Sequence, residues 1–356
     1  MQKSICKSSI TDVKQDGKGK ILEDYSTTGK RRPWRKRKEE THLLADAYFY
    51  AGYDNKAMRI DECGTYLEFS ECPNGHEKRL KYANFCRERL CPMCQWRRSM
   101  KLAWQIKTVC HMALQERKLR FLSLTLTARN VPADYLKDEI GELMYSFRKF
   151  KGRKEVDRVL EGYFKALEVT YNSEEETYHP HFHVLLAVKP IYFTNYYITH
   201  DRWAELWRQS MQVSYRPSVY VEAVKEKEGA TQLEEDRKLY NDDMARAVAE
   251  TGKYSVKVDD YIQEDVEATS EVIETLEEAL KYRRMTSYGG ILKEMYQRLN
   301  ADDIESDEVD LIHTTDEDDN CQCRVCNSDL VDKVYNWNIG LSNYIRTEQM
   351  SIGKEK

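Results

Sequence analysis

His179-Pro180-His181-Phe182-His183-Val184-Leu185-Leu186 is the stretch on which the reading of this chain turns. Three of the chain's eight histidines fall here, spaced two apart, and run into an apolar segment. Side chains alternate along a β-strand with period two, so in a strand all three imidazoles project from one face. Two imidazoles on one face, separated by a bulky residue pointing the other way, form a claw for a divalent metal. A solvated edge strand would also accept Pro180, but clustering this dense favours metal binding.

The segment before it supplies an oxygen ligand. Lys165-Ala166-Leu167-Glu168-Val169-Thr170-Tyr171 reads as a strand and residues 172–177 as a polar turn, so the two strands form a hairpin. A turn centred near residues 174–175 sets Glu168 opposite His181; a centre one residue away sets it opposite His183. Directly opposed residues share a face in either register. A carboxylate beside two imidazoles suits Mg²⁺ or Mn²⁺ better than a structural zinc. His179 is either a further ligand or a phosphate contact.

A nucleophile candidate lies downstream. Residues 242–261 carry helix formers as far as Glu250, with Asp242 or Asp243 placed to cap the start. In a helix continuing through Gly252, Glu250 and Tyr254 are i,i+4 neighbours, and Lys257 stands three residues beyond the tyrosine. A tyrosine has an ordinary pKa of about 10, so to attack phosphorus it must lose its proton or have its phenolate stabilised. Lys253, Lys257 and a nearby metal meet that need. Among 24 tyrosines, the carboxylate four residues back is what singles out Tyr254.

At these residues the chain resembles the rolling-circle replication initiators of small Gram-positive plasmids, the single-tyrosine class of His-hydrophobic-His (HUH) endonucleases. Phe121-Leu122-Ser123-Leu124-Thr125-Leu126-Thr127-Ala128-Arg129-Asn130 is similar to the family's first motif, 179–186 to its second, and Glu250-Thr251-Gly252-Lys253-Tyr254 to its third. The likeness extends through 86–98 and through Arg283-Arg284-Met285-Thr286-Ser287-Tyr288-Gly289-Gly290, covering most of residues 30–300. Gly252 departs from it, standing where a helix former is expected. The resemblance implies a metal-dependent, sequence-specific nick in plasmid origin DNA by attack of Tyr254. The products are a 5′-phosphotyrosyl link and a free 3′-hydroxyl. It further implies that Glu250 activates water at termination. The substrate is then single-stranded or an extruded hairpin at the nick, and the partners are a host helicase, polymerase and single-strand-binding protein.

Net charge is −5, which argues weakly against a polyanionic partner, but the charge is unevenly spread. Residues 1–258 hold 46 Lys and Arg against 37 Asp and Glu; residues 259–356 hold 10 against 24. Seven of the nine residues over 30–38 are basic, with Trp34 interleaved. This stretch is either a solvated tail or a DNA-binding arm, in which Arg31, Arg32, Arg35 and Lys36 contact phosphates. Lys253 and Lys257 are further DNA-contact candidates. The run 302–319, with ten acids and no Lys or Arg, reads as a disordered linker.

Ten cysteines without a signal peptide or an apolar run near 18 residues point to a soluble cytoplasmic protein and no membrane association. Their spacing favours zinc over disulfides. Cys91-Pro92-Met93-Cys94 is a knuckle, and Pro73-Asn74-Gly75 is a turn between two strands. Pairing about that turn opposes Leu67 to Tyr82, Phe69 to Leu80 and Cys63 to Cys86. Cys72 then lies about 30 Å from Cys63 at roughly 3.3 Å per residue. Cys63, Cys86, Cys91 and Cys94 are therefore the expected structural zinc ligands. Cys321, Cys323 and Cys326 form an incomplete second cluster needing a fourth ligand such as His313.

The expected organisation has four parts. Residues 1–60 are a basic, partly disordered lead-in, and 61–118 a zinc module with a helix over 95–115. Residues 119–262 are a catalytic α+β domain. Its elements are a strand over 119–128, a helix over 135–150, the 163–188 hairpin, a helix over 202–211, a strand near 219–224 and the tyrosine helix. Residues 263–356 are a helical and acidic C-terminal region, helical throughout 263–300, its last 30 residues packing back through Trp337 and Tyr344. This order, with the resemblance, implies an antiparallel sheet with helices on one face in a ferredoxin-like plan. Two other readings are a conjugative relaxase or single-strand transposase, sharing the chemistry, and a non-enzymatic zinc-dependent DNA-binding regulator. Relaxases usually place the tyrosine before the histidines. A regulator leaves His181, His183, Glu168 and Tyr254 unexplained.

Overall fold

The computed structural model describes residues 19–26, 29–224, 248, 252, 258–315 and 321–347. In chain order the elements are α1 (Trp34–Tyr50), α2 (Asp54–Asp61), β1 (Tyr66–Glu71), β2 (Lys78–Ala83), α3 (Pro92–Glu116), β3 (Arg120–Thr127), α4 (Ala133–Lys151), α5 (Lys154–Val159), β4 (Leu160–Asn172), β5 (Thr177–Val188), α6 (His200–Met211), β6 (Val219–Ala223), α7 (Val258–Tyr261), α8 (Val266–Leu280), β7 (Thr286–Gly290), α9 (Ile291–Leu299), β8 (Val331–Asn338) and β9 (Asn343–Thr347). They form two compact units, one of Arg98–Val309 and one of Met1–Arg97 with Asp310–Lys356.

The first unit is built on a five-stranded sheet in the order β6-β3-β5-β4-β7, antiparallel at every pairing. Apolar alternation in Phe121-Leu122-Ser123-Leu124-Thr125-Leu126 makes β3, which buries Leu122, Leu124 and Leu126. β4 and β5 bury long runs, as strands between two neighbours do. Leu136, Ile140, Leu143, Phe147 and Phe150 recur at helical spacing and form the buried stripe of α4. Phe147 meets Phe182 of β5 edge-on at 5.6 Å. Phe182 therefore points to the helix layer and its neighbours His181 and His183 to the opposite face. Thr199 caps α6 by accepting the Arg202 N–H, and Trp203 and Trp207 of that helix are fully buried.

Residues 263–300 are not helical throughout, because β7 interrupts them and pairs with β4. The glycines explain the switch. A Cβ on Gly290, whose φ is +57°, would lie 2.1 Å from the Glu161 carbonyl oxygen, so only glycine permits that approach. Nor is the acidic run a linker over residues 302–315. Ile304, Val309 and Leu311 are buried, Asp302 pairs with Lys101 at 2.5 Å, and Glu305 accepts the backbone N–H groups of Met285 and Thr286. Apolar residues spaced between the acids anchor the segment, and the carboxylates find donors; composition alone hides both effects.

The second unit holds a four-stranded sheet, β2-β1-β8-β9, drawn from both ends of the chain. β1 pairs with β2 as Phe69↔Leu80, but a bulge between Glu68 and Phe69 opposes Leu67 to Ala83 rather than to Tyr82. Trp337 packs against Tyr344 at 5.1 Å, and the buried Tyr344 hydroxyl donates to the Gly64 carbonyl. Over its described residues the lead-in is not a loose tail, since Leu22, Asp24 and Trp34 are all buried. Trp34 is 2% exposed, donates to Asp24 at 2.7 Å and sits edge-on to Phe69 and Trp96, so it anchors the chain instead of offering a stacking face.

Candidate active site

β5 lies between β3 and β4, and this places the histidines at the centre of the sheet. The hairpin register sets Glu168 against His181, Ala166 against His183 and Thr170 against His179. Asn172 fixes that register: its side-chain oxygen accepts the N–H groups of Glu174 and Glu175, closing the polar turn. Donor atoms of Glu168, His181 and His183 lie within 4.8 Å of one another. The carboxylate is 2.8 Å from His183 Nε2 and 3.6 Å from His181 Nε2, with Glu168 almost wholly buried. Burial acts to raise the Glu168 pKa, but the hydrogen bonds and positive charge of the two histidines prevail and hold it well below the usual carboxylate range.

His181 Nδ1 lies 3.1 Å from the His179 carbonyl oxygen. A carbonyl only accepts, so Nδ1 carries a proton, and Nε2 is the nitrogen that faces Glu168 and would ligate a metal in place of its own proton. His179 is outside the triad; its ring stacks on His181 at 5.1 Å, and burial, with the His181 charge, lowers its pKa. The donor set of two imidazole nitrogens and one carboxylate, without sulfur, fits a hard or borderline divalent cation.

β3 contributes what the sequence reading missed. Thr125 opposes His183 and Thr127 opposes His181, so both threonines share the histidine face. The Thr125 hydroxyl stands 3.4 Å from His183 Nδ1, the position from which an outer partner orients a ligating imidazole. Period-two counting across Thr125 and Thr127 was the available signal. Tyr220 of β6 opposes Thr125 in turn and is exposed.

Glu250, Lys253, Tyr254 and Lys257 lie outside the described residues. Their surroundings are partly visible. The Gly252 N–H donates to the Val248 carbonyl at 2.7 Å. A Cβ on Gly252 would fall 2.7 Å from that carbonyl oxygen and 3.6 Å from both Ala103 Cα and Ile106 Cδ1 of α3. Glycine at this position is thus a close-approach residue. Tyr261, on the same segment, is 0% exposed on α7, which packs against β4.

Cys63, Cys86, Cys91 and Cys94 come together, with Sγ separations of 3.6 Å from Cys63 to Cys91 and to Cys94, and 3.7 Å from Cys86 to Cys94. A tetrahedral zinc with bonds near 2.3 Å requires edges of about 3.8 Å. The Cys86 N–H reaches Cys63 Sγ at 3.3 Å, and the Arg87 N–H reaches Cys94 Sγ at 3.2 Å. Burial pushes the Cys63 thiol well above its ordinary range. Against burial, hydrogen bonds from the other three thiols hold Cys91 well below it. Lys38, from the basic stretch, is buried within electrostatic range of Cys63, Cys91 and Cys86, where its charge offsets thiolate. This buried cluster can hold a metal such as zinc.

Basic residues beside Lys38 engage acids nearby: Arg32 with Asp24 at 3.5 Å, Arg35 with Glu39 at 2.9 Å and Lys36 with Glu40 at 3.4 Å. Arg35 and Lys36 keep more than half of their side-chain surface, at 55% and 61%. The Arg31 guanidinium reaches the Leu22 carbonyl.

Comparison with known proteins places the chain. Residues 77–345 match the family model described as Replication protein. A "Protein rep" from Bacillus amyloliquefaciens is 40% identical over 91% of this chain and 97% of its own length. Others from Streptococcus pneumoniae serotype 2 and Lactiplantibacillus plantarum are 39% and 38% identical, over 86% and 91% of this chain and 91% and 98% of their own lengths. The chain belongs to this family of replication proteins, the plasmid replication initiators termed Rep. No solved structure matches. Among the described residues no helix is long and apolar enough to cross a membrane.

Proposed function

We propose that the chain starts rolling-circle replication of a plasmid by nicking origin DNA through Tyr254. The observation carrying this reading is the convergence of Glu168, His181 and His183 on one face at the centre of the sheet. Strand order supports it. Taken as β3-α4-β4-β5-α6-β6, the four strands stand fourth-first-third-second, the ferredoxin-like plan of the HUH endonucleases, with β7 added at the edge.

A divalent cation, Mn²⁺ or Mg²⁺, held by these three residues would polarise the scissile phosphate and offset its developing charge. Thr125 and the His179 carbonyl hold the imidazoles in place for it. The Tyr254 oxygen attacks phosphorus, the bond to the 3′-oxygen breaks, and a 5′-phosphotyrosyl link and 3′-hydroxyl result. The link retains the phosphoester, so rejoining needs no ATP. Glu250, four residues before Tyr254 in the sequence, activates water to end the cycle once the tyrosine is occupied. The four-cysteine cluster is a structural zinc module. Arg31, Arg32, Arg35 and Lys36, with Lys253 and Lys257, contact origin DNA, single-stranded or hairpin at the nick. The host helicase, polymerase and single-strand-binding protein act on the product in the cytoplasm.

The test is incubation of the full chain with a single-stranded oligonucleotide carrying the origin nick sequence and Mn²⁺. Wild type yields a covalent adduct, His181→Ala and His183→Ala yield none, and Glu168→Ala is weakened or altered in metal requirement. Full activity in EDTA would overturn the metal-dependent reading.

A further inference from the structure

Cys72 stands at the opposite end of the β1–β2 hairpin from the four-cysteine cluster, and the topology gives it other company. β8 runs antiparallel to β1 with Val331 against Glu71, so the residues just before β8 lie beside Cys72. They include Cys323-Arg324-Val325-Cys326, a second CxxC sequence. Cys72 Sγ is 3.5 Å from Cys326 Sγ and 3.8 Å from His76 Nδ1, and Cys323 Sγ is 4.0 Å from the same nitrogen. The four donor atoms lie within 4.8 Å of one another.

We propose that Cys72, His76, Cys323 and Cys326 bind a second zinc ion, which ties the C-terminal strands to the tip of the N-terminal hairpin.

Zinc bonds of about 2.3 Å to sulfur and 2.0–2.1 Å to nitrogen give tetrahedral edges of about 3.8 Å for S···S and 3.6 Å for S···N. The separations here differ from these by a few tenths of an ångström. A disulfide needs sulfurs about 2.05 Å apart, and the Cys72–Cys326 separation of 3.5 Å is far outside that. Reduced thiols packed as core residues would account for Cys72 and Cys323, both buried, but not for an exposed histidine turning its ring nitrogen toward them.

The surroundings are those of a knuckle built around charged sulfur. The Val325 N–H donates to Cys323 Sγ at 3.4 Å, and the Asn74 amide to Cys326 Sγ at 3.5 Å. Donors of this kind orient thiolate ligands and stabilise their charge. The same arrangement occurs in the first cluster at Cys63 and Cys94. Both halves are independently shaped: the hairpin tip by Gly75 N–H to Cys72 carbonyl at 2.9 Å, the knuckle by Cys323 N–H to Ser328 carbonyl at 2.9 Å. Glu77 joins them, accepting the Arg324 N–H at 3.1 Å.

This ligand set corrects the one expected from sequence. Among the described residues the cluster takes Cys323 and Cys326 without Cys321, and His313 pairs with Asp310 at 2.8 Å. His76 takes the fourth place. Cys72 and Cys326 are 254 residues apart, so the ion would close a loop spanning most of the chain. Strands from the two ends of the sequence would then share one sheet with a zinc at each end of the β1–β2 hairpin.

The test is the zinc content of the purified full chain, by elemental analysis and native mass spectrometry, and it does not depend on nicking. Wild type should carry two zinc ions. Cys323→Ser and Cys326→Ser should each carry one, whereas Cys110→Ser, altering a buried cysteine of the other unit, should keep two. Should the serine variants fail to fold, cobalt substitution still decides. His76→Cys should keep two metals while its cobalt spectrum moves toward that of a uniform four-thiolate protein. One zinc in the wild type, two in Cys323→Ser, or a His76→Cys spectrum identical to wild type would overturn the proposal.

Discussion

Thr125→Val removes one hydroxyl, keeps the side-chain volume, and leaves every proposed ligand in place. The oxygen stands 3.4 Å from His183 Nδ1, at the long end of hydrogen-bond range, and the His183 side chain is 12% exposed. A net hydrogen bond contributes about 0.5–1.5 kcal/mol, and at this length the lower half of that range applies. Since each 1.4 kcal/mol is a factor of ten, Mn²⁺ affinity should fall about 2- to 5-fold. The assay is adduct formation on a single-stranded origin oligonucleotide against Mn²⁺ concentration. The half-saturating metal should rise by that factor, with the plateau rate within about 2-fold of wild type, because Glu168, His181 and Tyr254 are untouched. An unchanged metal requirement would refute the positioning role. A low plateau that no Mn²⁺ concentration restores would place the hydroxyl in direct contact with the phosphate or nucleophile.

Glu250→Ala should still nick and attach, then accumulate covalent or over-length products on a gel of replication intermediates; inability to nick would make Glu250 the base for Tyr254 or a metal ligand. Gly252→Ala should lower stability by up to about 2 kcal/mol, since overpacking costs about 1–3 kcal/mol and reduced backbone freedom of the unfolded chain returns up to about 1 kcal/mol; a raised melting temperature would contradict the close approach to the Val248 carbonyl. Tyr261→Phe should leave nicking intact because that ring is buried in the core, and loss of the adduct would contradict its placement.

The hairpin was legible because its determinants are local. Six polar residues at 172–177 and a period-two pattern fix which side chains face Glu168. The four-cysteine cluster followed similarly from Pro73-Asn74-Gly75 and the Cys91 knuckle. The bulge after Glu68 was not legible, since it shifts one strand by a residue without changing the apolar pattern. Still less legible were pairings between distant segments. β8 joins β1 across more than 250 residues, bringing Cys323 and Cys326 to Cys72 and His76, and no local spacing encodes that. Composition misled over 302–315, where widely spaced apolar residues hold an acidic segment in place.

The central claim is that Tyr254 forms the covalent bond, and mapping the adduct tests it most directly. Wild type is trapped on a 5′-labelled or suicide origin oligonucleotide with Mn²⁺, digested, and the nucleotide-bearing peptide sequenced by mass spectrometry. The phosphotyrosyl group should lie on Tyr254 alone, and Tyr254→Phe should give no adduct while binding origin DNA as before. A modification on Tyr220, the exposed tyrosine in line with Thr125 and His183 across the sheet, or an adduct persisting in Tyr254→Phe, would contradict the account.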